Sequence, residues 1–294
     1  MTISKEMLAS AAKAVKLLGE ARAAETGEFY RRLLRPDGGF ADRAGKSDLY
    51  YTVFGLQACR ALGVELPVEA VRSYLQGFGK GESLDMVHLG CLVRCREVLY
   101  ADACPPDLRQ AVLARIEACR SADGGYARQP ARPAGSAYGC FLAMGSCQDL
   151  GAELPDSDGV ARCLAGLAVG DGSYANDASM PIGSVPATAA AAVVLAHLHR
   201  TADAGAADWL LAQHDQAGGF RAVPVAPEPD MLSTAVALQA LRKLGADISA
   251  VRQACVEFCR SLFAKGRFAG HAGDTALDGE YTFYGLLALG CLEE

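Results

Sequence analysis

The stretch "PDMLSTAVALQALRKLG", from Pro229 to Gly245, has the length and apolar content of a helix but almost no polar face. Apolar residues occupy nearly the whole circumference of such a helix, so it must be buried on every side. With Lys243 near its end, it is too short and too polar to be a membrane span. The stretch therefore predicts a helix inside a globular protein, with an aspartate, Asp230, at its start.

The composition supports a large core. Of 294 residues, 51% are hydrophobic and 21% are charged, a balance that argues against disorder. No run of 18 apolar residues exists, and the N-terminus is a charged amphipathic helix rather than a signal sequence, so we expect a cytoplasmic protein without a membrane span. The eleven cysteines fall mostly inside helical patterns, which predicts buried, reduced thiols. A net charge of −6 without a basic stripe argues against nucleic acid as a partner.

The opening stretch belongs to one of six similar units. Each unit begins at a glycine-rich turn that is usually followed by an aromatic residue, and the units start at Gly38, Gly79, Gly124, Gly170, Gly218 and Gly266. These starts are 41, 45, 46, 48 and 48 residues apart. A period of this length indicates stacked supersecondary units.

Every unit has the same order of elements. The turn leads through an irregular loop into a strongly apolar helix, and a short break then leads into an amphipathic helix such as "ISAVRQACVEFCRSLFAKG", residues 248–266. Alternation of the two helix types predicts two concentric layers. An open solenoid would expose the apolar inner helices along one face, so a closed ring is favoured.

The sequence therefore predicts an all-α fold, an α/α toroid of six concentric helical hairpins that forms one domain over residues 1–294. Residues 1–25 are expected to form an N-terminal helix leading into the ring. The inner helices are predicted near residues 48–62, 84–99, 136–149, 185–199, 230–244 and 278–291.

The repeated glycine-aromatic turn, polar residue and apolar helix resemble the repeats of protein prenyltransferase β subunits and class II terpene cyclases, most of all the β subunit of the geranylgeranyl transferases. The resemblance covers the chain after about residue 25. It implies an α/α toroid whose funnel binds an isoprenoid chain, and a helical α-subunit-like protein as a further partner.

The zinc site of the transferases is implied only in part. Their zinc is held by an Asp and a Cys two positions apart and by a His on a later inner helix. Asp230 matches the aspartate, but Leu232 stands at the cysteine position and Tyr281 at the histidine position. One carboxylate without Cys or His lacks the ligands that zinc prefers. We therefore expect no zinc, and Mg²⁺ only together with a diphosphate substrate.

The cyclase motif Asp-x-Asp-Asp-Thr is also incomplete. Its nearest match is "DMLST", residues 230–234, in which Leu232 and Ser233 replace two of the aspartates. Asp230 and Asp278, which both precede inner helices, are the tentative catalytic residues because they fall in the family's active-site repeats. Helix capping is the alternative for both, since an aspartate at a helix N-terminus satisfies free backbone N–H groups.

Aromatic residues cluster at the starts of the inner helices. Ring faces that line a funnel suit an isoprenoid chain or stabilise a carbocation, whereas core packing is the alternative for each ring. The candidate substrate-binding residues are Tyr51, Phe54, Tyr138, Phe141, Tyr281 and Tyr284.

The expected function is that of an isoprenoid- or lipid-binding toroid, a non-standard prenyltransferase- or cyclase-like enzyme without the usual zinc site. Two alternatives stay open. One is a catalytically inactive lipid-binding or scaffolding module, and the other is a true zinc-dependent prenyltransferase β-like subunit whose ligands lie elsewhere in the sequence.

Overall fold

The computed structural model describes residues 1–100, 104–180, 182–276 and 278–293. Within these residues the chain forms thirteen helices and two short hairpins. The helices are α1 (Ile3–Leu18), α2 (Glu20–Leu33), α3 (Leu49–Ala61), α4 (Val68–Gln76), α5 (Met86–Leu99), α6 (Pro106–Ala118), α7 (Ala137–Asp149), α8 (Ser157–Gly166), α9 (Val185–His197), α10 (Ala206–Ala212), α11 (Met231–Lys243), α12 (Ser249–Ser261) and α13 (Gly279–Leu292). The antiparallel hairpins pair β1 (Phe40–Ala41) with β2 (Ser47–Asp48) and β3 (Phe263–Ala264) with β4 (Arg267–Phe268).

The six apolar helices form a closed inner ring. Helices α3, α5, α7, α9, α11 and α13 each pack on the next, and α13 packs on α3. Their bounds lie within two residues of the predicted inner helices. The prediction of an α/α toroid is therefore confirmed. The stretch Pro229–Gly245 contains α11, which is buried between its neighbours α9 and α13.

Each inner helix begins at a side chain that caps it. The capping residues are Asp48, Asp85, Ser136, Ser184, Asp230 and Asp278, and each accepts a hydrogen bond from the backbone N–H three residues further on. Such a bond satisfies one of the N–H groups that a helix start leaves without a partner. Five of the six predicted ranges therefore include the cap, whereas the range 185–199 begins just after Ser184, and every helix proper begins just after its cap.

The glycine turns are explained by their contact with the outer helices. Gly218 has a φ of +99°, and a Cβ on it would lie 2.3 Å from the carbonyl oxygen of Ala254 in α12. Only glycine fits where φ is positive and a second backbone is this close. Gly266 makes the corresponding approach to Glu25 in α2, so the last turn packs on the first outer helix and the outer layer also closes.

The N-terminal segment forms two helices rather than one, because the chain turns at Gly19, which has a φ of +84°. Helix α2 joins the outer layer, whereas α1 lies across the C-terminal ends of the inner helices. The backbone N–H of Ile3 donates to Oε1 of Gln148 at 2.9 Å, and Lys243 donates to Glu6 at 2.7 Å. Helix α1 therefore covers the base of the ring.

The structure also tests the predictions made from composition about membrane spans and cysteines. No helix in the described part of the chain combines the length and the apolar character that crossing a bilayer requires. All eleven cysteines are unpaired, and all but Cys104 are buried.

Candidate functional site

The inner ring encloses a central cavity of about 230 Å³. All six inner helices contribute to its wall, and Ile3, Ser4 and Met7 of α1 contribute to its base. An apolar cavity of about 150 Å³ is already large enough to bind benzene. Tyr138 lines the cavity at the start of α7 and is 36% exposed, so the cavity reaches the surface at the end of the ring where the inner helices begin.

Five aromatic residues lie in the wall near this entrance. They are Tyr50, Phe54, Tyr138, Phe141 and Tyr284. The ring of Phe54 lies 5.1 Å from that of Tyr50 and 5.6 Å from that of Tyr284, measured between centroids. The phenol of Tyr138 is neutral near pH 7 even at the ordinary tyrosine pKa, and burial raises that pKa further, to about 12. The entrance half of the cavity is thus a surface of packed, uncharged rings.

The structure separates the predicted binding residues into two groups. Phe54, Tyr138, Phe141 and Tyr284 line the cavity, as their proposed role requires. Tyr51 and Tyr281 are not among the described residues that form its wall. The ring of Tyr281 instead lies 5.8 Å from the guanidinium of Arg43.

Asp230 and Asp278 both act as helix caps at the entrance end. Asp230 accepts hydrogen bonds from the backbone N–H of Ser233 at 2.8 Å and from its hydroxyl at 2.7 Å. Burial raises the pKa of Asp230, although the bonds from Ser233 oppose that rise. Asp278 accepts from the N–H of Tyr281 at 2.9 Å and from Nε of Arg43 at 2.7 Å. Neither aspartate is among the described residues that line the cavity.

Glu280 links this capping network to the cavity wall. Its Oε1 accepts a 2.5 Å hydrogen bond from the hydroxyl of Tyr50, which lines the cavity. Burial raises the pKa of Glu280, and the nearby carboxylate of Asp278 raises it further. A half-buried carboxyl group therefore lies directly behind an aromatic residue of the wall.

The residues present do not fit the zinc site of the transferases. Both oxygens of Asp230 are engaged by Ser233, and Leu232 lines the cavity as an apolar residue. Among the described residues there is no group of three or more His, Cys, Asp or Glu side chains that could hold a metal ion. This donor set offers zinc neither the number nor the type of ligands it prefers.

The polar residues of the cavity were not among the predicted site residues. Arg94, Ser146, Asp149 and Gln239 line it together with the aromatic rings. On α7 the lining residues are Tyr138, Phe141, Leu142, Gly145, Ser146 and Asp149, which recur at the three- and four-residue spacing of one helix face. The sequence could have revealed these polar residues, because Ser146 and Asp149 lie on the same face of α7 as the candidate aromatic residues Tyr138 and Phe141.

The sequence model of the prenyltransferase alpha-alpha toroid domain matches residues 13–76, 70–165 and 160–293. No curated protein matches the chain significantly. Similar solved structures include a protein from Actinoplanes, with 17% identity, 93% of this chain and 98% of that chain covered, and a TM-score of 0.62.

The type II terpene cyclase MstE from Scytonema is also similar. A variant in complex with the substrate geranylgeranyl dihydroxybenzoate has 13% identity and a TM-score of 0.61, and one in complex with the product merosterolic acid A has 14% and 0.61. Both comparisons cover 95% of this chain and 97% of that one. At these identities the likeness shows the shared fold. The particular likeness to geranylgeranyl transferase β subunits stays a prediction. Because the family's sequence model matches nearly the whole chain, this protein belongs to the prenyltransferase alpha-alpha toroid domain family.

Proposed function

We propose that the protein binds an isoprenoid or similar long apolar molecule in the central cavity and acts on it as a cyclase- or prenyltransferase-like enzyme without the usual zinc site. The observation that carries the proposal is the set of five aromatic residues in the wall of a cavity enclosed by six helices. Ring faces attract a developing cation. The complexes of MstE with a geranylgeranyl compound and its product support the choice of ligand, because that protein shares the fold.

Proton-initiated cyclisation requires a carboxylic acid that is neutral before it reacts. Asp230 is our candidate for this acid at the entrance, and Asp278, whose carboxylate is paired with Arg43, is the second candidate catalytic residue there. Asp230 lies two residues before the cavity residue Leu232, and burial raises its pKa. Asp278 lies two residues before Glu280, the partner of Tyr50. We therefore assign the acid role to the entrance end of the cavity.

Binding and turnover can be measured separately. Purified protein is incubated with prenyl diphosphates and prenyl alcohols of 10, 15 and 20 carbons, with Mg²⁺ or with a chelator. A bound ligand should raise the melting temperature through linkage, and mass spectrometry should detect a product. Turnover of an alcohol should survive chelation because the proposed reaction uses no resident metal.

A pair of glycine variants tests whether the ligand lies in the cavity. Gly145 on α7 lines the cavity, and Gly166 ends the outer helix α8; a Cβ on either meets nothing within 4 Å. Gly145→Leu should abolish the ligand-induced rise in melting temperature, whereas Gly166→Leu should leave it unchanged. Equal responses of the two variants would place the ligand outside the cavity.

The alternatives have distinct outcomes in the same assays. Binding without a product would favour an inactive lipid-binding module. Zinc-dependent prenylation of a peptide cysteine would favour a true protein prenyltransferase. In the latter case we also expect a helical α-subunit-like protein to copurify.

A further inference from the structure

The end of the cavity opposite the entrance is polar. Arg94, Ser146, Asp149 and Gln239 line it together with Ser4 of α1, and we call these five residues the polar floor. Tyr138 and Asp149 lie at opposite ends of α7, eleven residues apart, which corresponds to about 16 Å along a helix at 1.5 Å per residue. The cavity thus has an aromatic entrance and a polar floor separated by most of the length of the inner helices.

Several hydrogen-bonding groups of the polar floor are unpaired among the described residues. Oδ2 of Asp149 accepts from the hydroxyl of Ser4 at 2.6 Å, but its Oδ1 is buried without a partner. Arg94 donates through one terminal nitrogen to Oε1 of Gln57 at 2.6 Å, but its Nε has no partner, and neither has Nε2 of Gln239. A buried polar group left unpaired costs about 1–3 kcal/mol. The polar floor therefore has one free acceptor and two free donors.

This set of groups suits a hydroxyl, which donates one hydrogen bond and accepts others. The last torsion of Asp and Gln is broad, so a small rotation turns the carboxylate or amide toward the cavity. The positive charge of Arg94 acts on Asp149, and the two formal charges offset each other. A strongly anionic group such as a diphosphate gains little at a site without net positive charge.

We infer that the polar floor binds a hydroxyl group of the ligand, so that the substrate is a prenyl alcohol or prenyl phenol that enters the cavity with its oxygen first. This inference rests on the proposed function, because it assigns a substrate class to the same cavity. It also orients the chain, since the apolar part then lies among the rings near the entrance.

The test compares a prenyl alcohol with the hydrocarbon of the same carbon skeleton by calorimetry. The wild type should bind the alcohol about tenfold more tightly, which corresponds to one or two additional hydrogen bonds. Gln239→Leu and Asp149→Leu should each reduce that ratio toward one while changing the affinity for the hydrocarbon about twofold or less. Gln253→Leu on the surface of the outer helix α12 is the control and should keep the ratio.

Three results would overturn the inference. Equal affinity for alcohol and hydrocarbon in the wild type would show that the floor does not recognise oxygen, while the isoprenoid cavity itself would stand. If both variants still bind the alcohol more tightly than the hydrocarbon, the hydroxyl binds at a site other than the polar floor. If neither compound binds, both the inference and the proposed function fail. Because the two variants lie on different helices, the test can still be read if one of the variants does not fold.

Discussion

The hydroxyl of Ser4, on the first turn of α1, donates a 2.6 Å hydrogen bond to Oδ2 of Asp149, the last residue of α7. The two residues are 145 positions apart in the sequence. The contact joins the helix that covers the base of the ring to the only carboxyl side chain among the described residues that line the cavity. Burial raises the pKa of Asp149 to about 6, although the bond from Ser4 opposes that rise.

We expect Asp149→Asn to change how stability depends on pH. The folded-state pKa is about 6 and the unfolded value is near 3.9. Between these values the folded protein holds a proton that the unfolded chain has released, so the free energy of unfolding falls as pH rises from about 4 to 6. The asparagine variant has no such loss. Its unfolding free energy should match the wild type near pH 4 and exceed it by about 2–3 kcal/mol at pH 7.

Urea denaturation across this pH range measures the difference, and Glu153→Gln at an exposed loop position serves as the control. A constant difference between wild type and Asp149→Asn over the whole range would mean that Asp149 titrates like a solvated carboxylate.

Asp230 can be tested as an acid independently of its role as a cap. Asn is as good a helix cap as Asp, whereas Ala costs about 1 kcal/mol. Asp230→Asn should therefore be at least as stable as the wild type at neutral pH, since burial raises the pKa of Asp230, and should lose turnover by about 100-fold or more, the usual contribution of a general acid. Asp48→Asn, at the cap of α3, is the matched control and should retain turnover. Full activity of the Asp230→Asn variant would show that Asp230 caps α11 and does not act as the acid.

The close approach of the turn at Gly218 to the outer helix α12 predicts that two glycine variants differ in how much they lower the free energy of unfolding. Gly218 and Gly245 both have positive φ, but a Cβ meets the backbone of α12 only at Gly218 and nothing within 4 Å at Gly245. Gly245→Ala should cost about 1–2 kcal/mol from the left-handed backbone alone. Gly218→Ala should cost clearly more, because α12 must also move. Denaturant unfolding of the two variants measures both costs, and equal values would contradict the steric explanation.

Metal content tests the replacement of the zinc ligands. With Leu232 and Tyr281 in place of cysteine and histidine, the purified protein should contain far less than one zinc ion per chain by elemental analysis. Leu232→Cys combined with Tyr281→His should raise zinc affinity by orders of magnitude, because thiolate and imidazole are ligands that zinc favours. If the wild type contains stoichiometric zinc and the Asp230→Ala variant does not, the alternative of a zinc-dependent prenyltransferase is supported instead.

Thiol accessibility should separate one cysteine from the other ten. Burial raises the pKa of Cys59, Cys91 and Cys255 to about 12, so these thiols are both shielded and protonated. Without reductant, a thiol reagent at pH 8 should modify about one group quickly in the native protein, Cys104, and eleven after denaturation. Fewer than eleven after denaturation would reveal disulfides.

The fold could be predicted because its determinants are local and repeated. A stretch such as Pro229–Gly245 shows its burial by the absence of a polar face, and the cap at Asp230 lies next to the helix it begins. The polar floor could not be predicted in the same way. Asp149 ends a helix, where a charged residue usually faces solvent, and it is buried by α1, which lies far away in the sequence.

The position of the aromatic rings was predictable only in part. Tyr50, Tyr51 and Phe54 are neighbours at the start of α3, but only Tyr50 and Phe54 line the cavity. The direction of a side chain depends on the rotation of the whole helix about its axis, which is set by packing against both neighbours in the ring. One residue along a helix changes that direction by about 100°, so candidates chosen by proximity in sequence divide between the cavity and its surroundings.

Ring closure through Gly266 and α2 has a consequence for unfolding. An open array of repeats can fray from either end, since a terminal repeat has one neighbour and detaches by losing one interface. Here every inner helix has two neighbours, so releasing any hairpin opens two interfaces at once and uncovers the cavity. Cooperativity should therefore extend around the whole circle, and the ring should melt in a single transition.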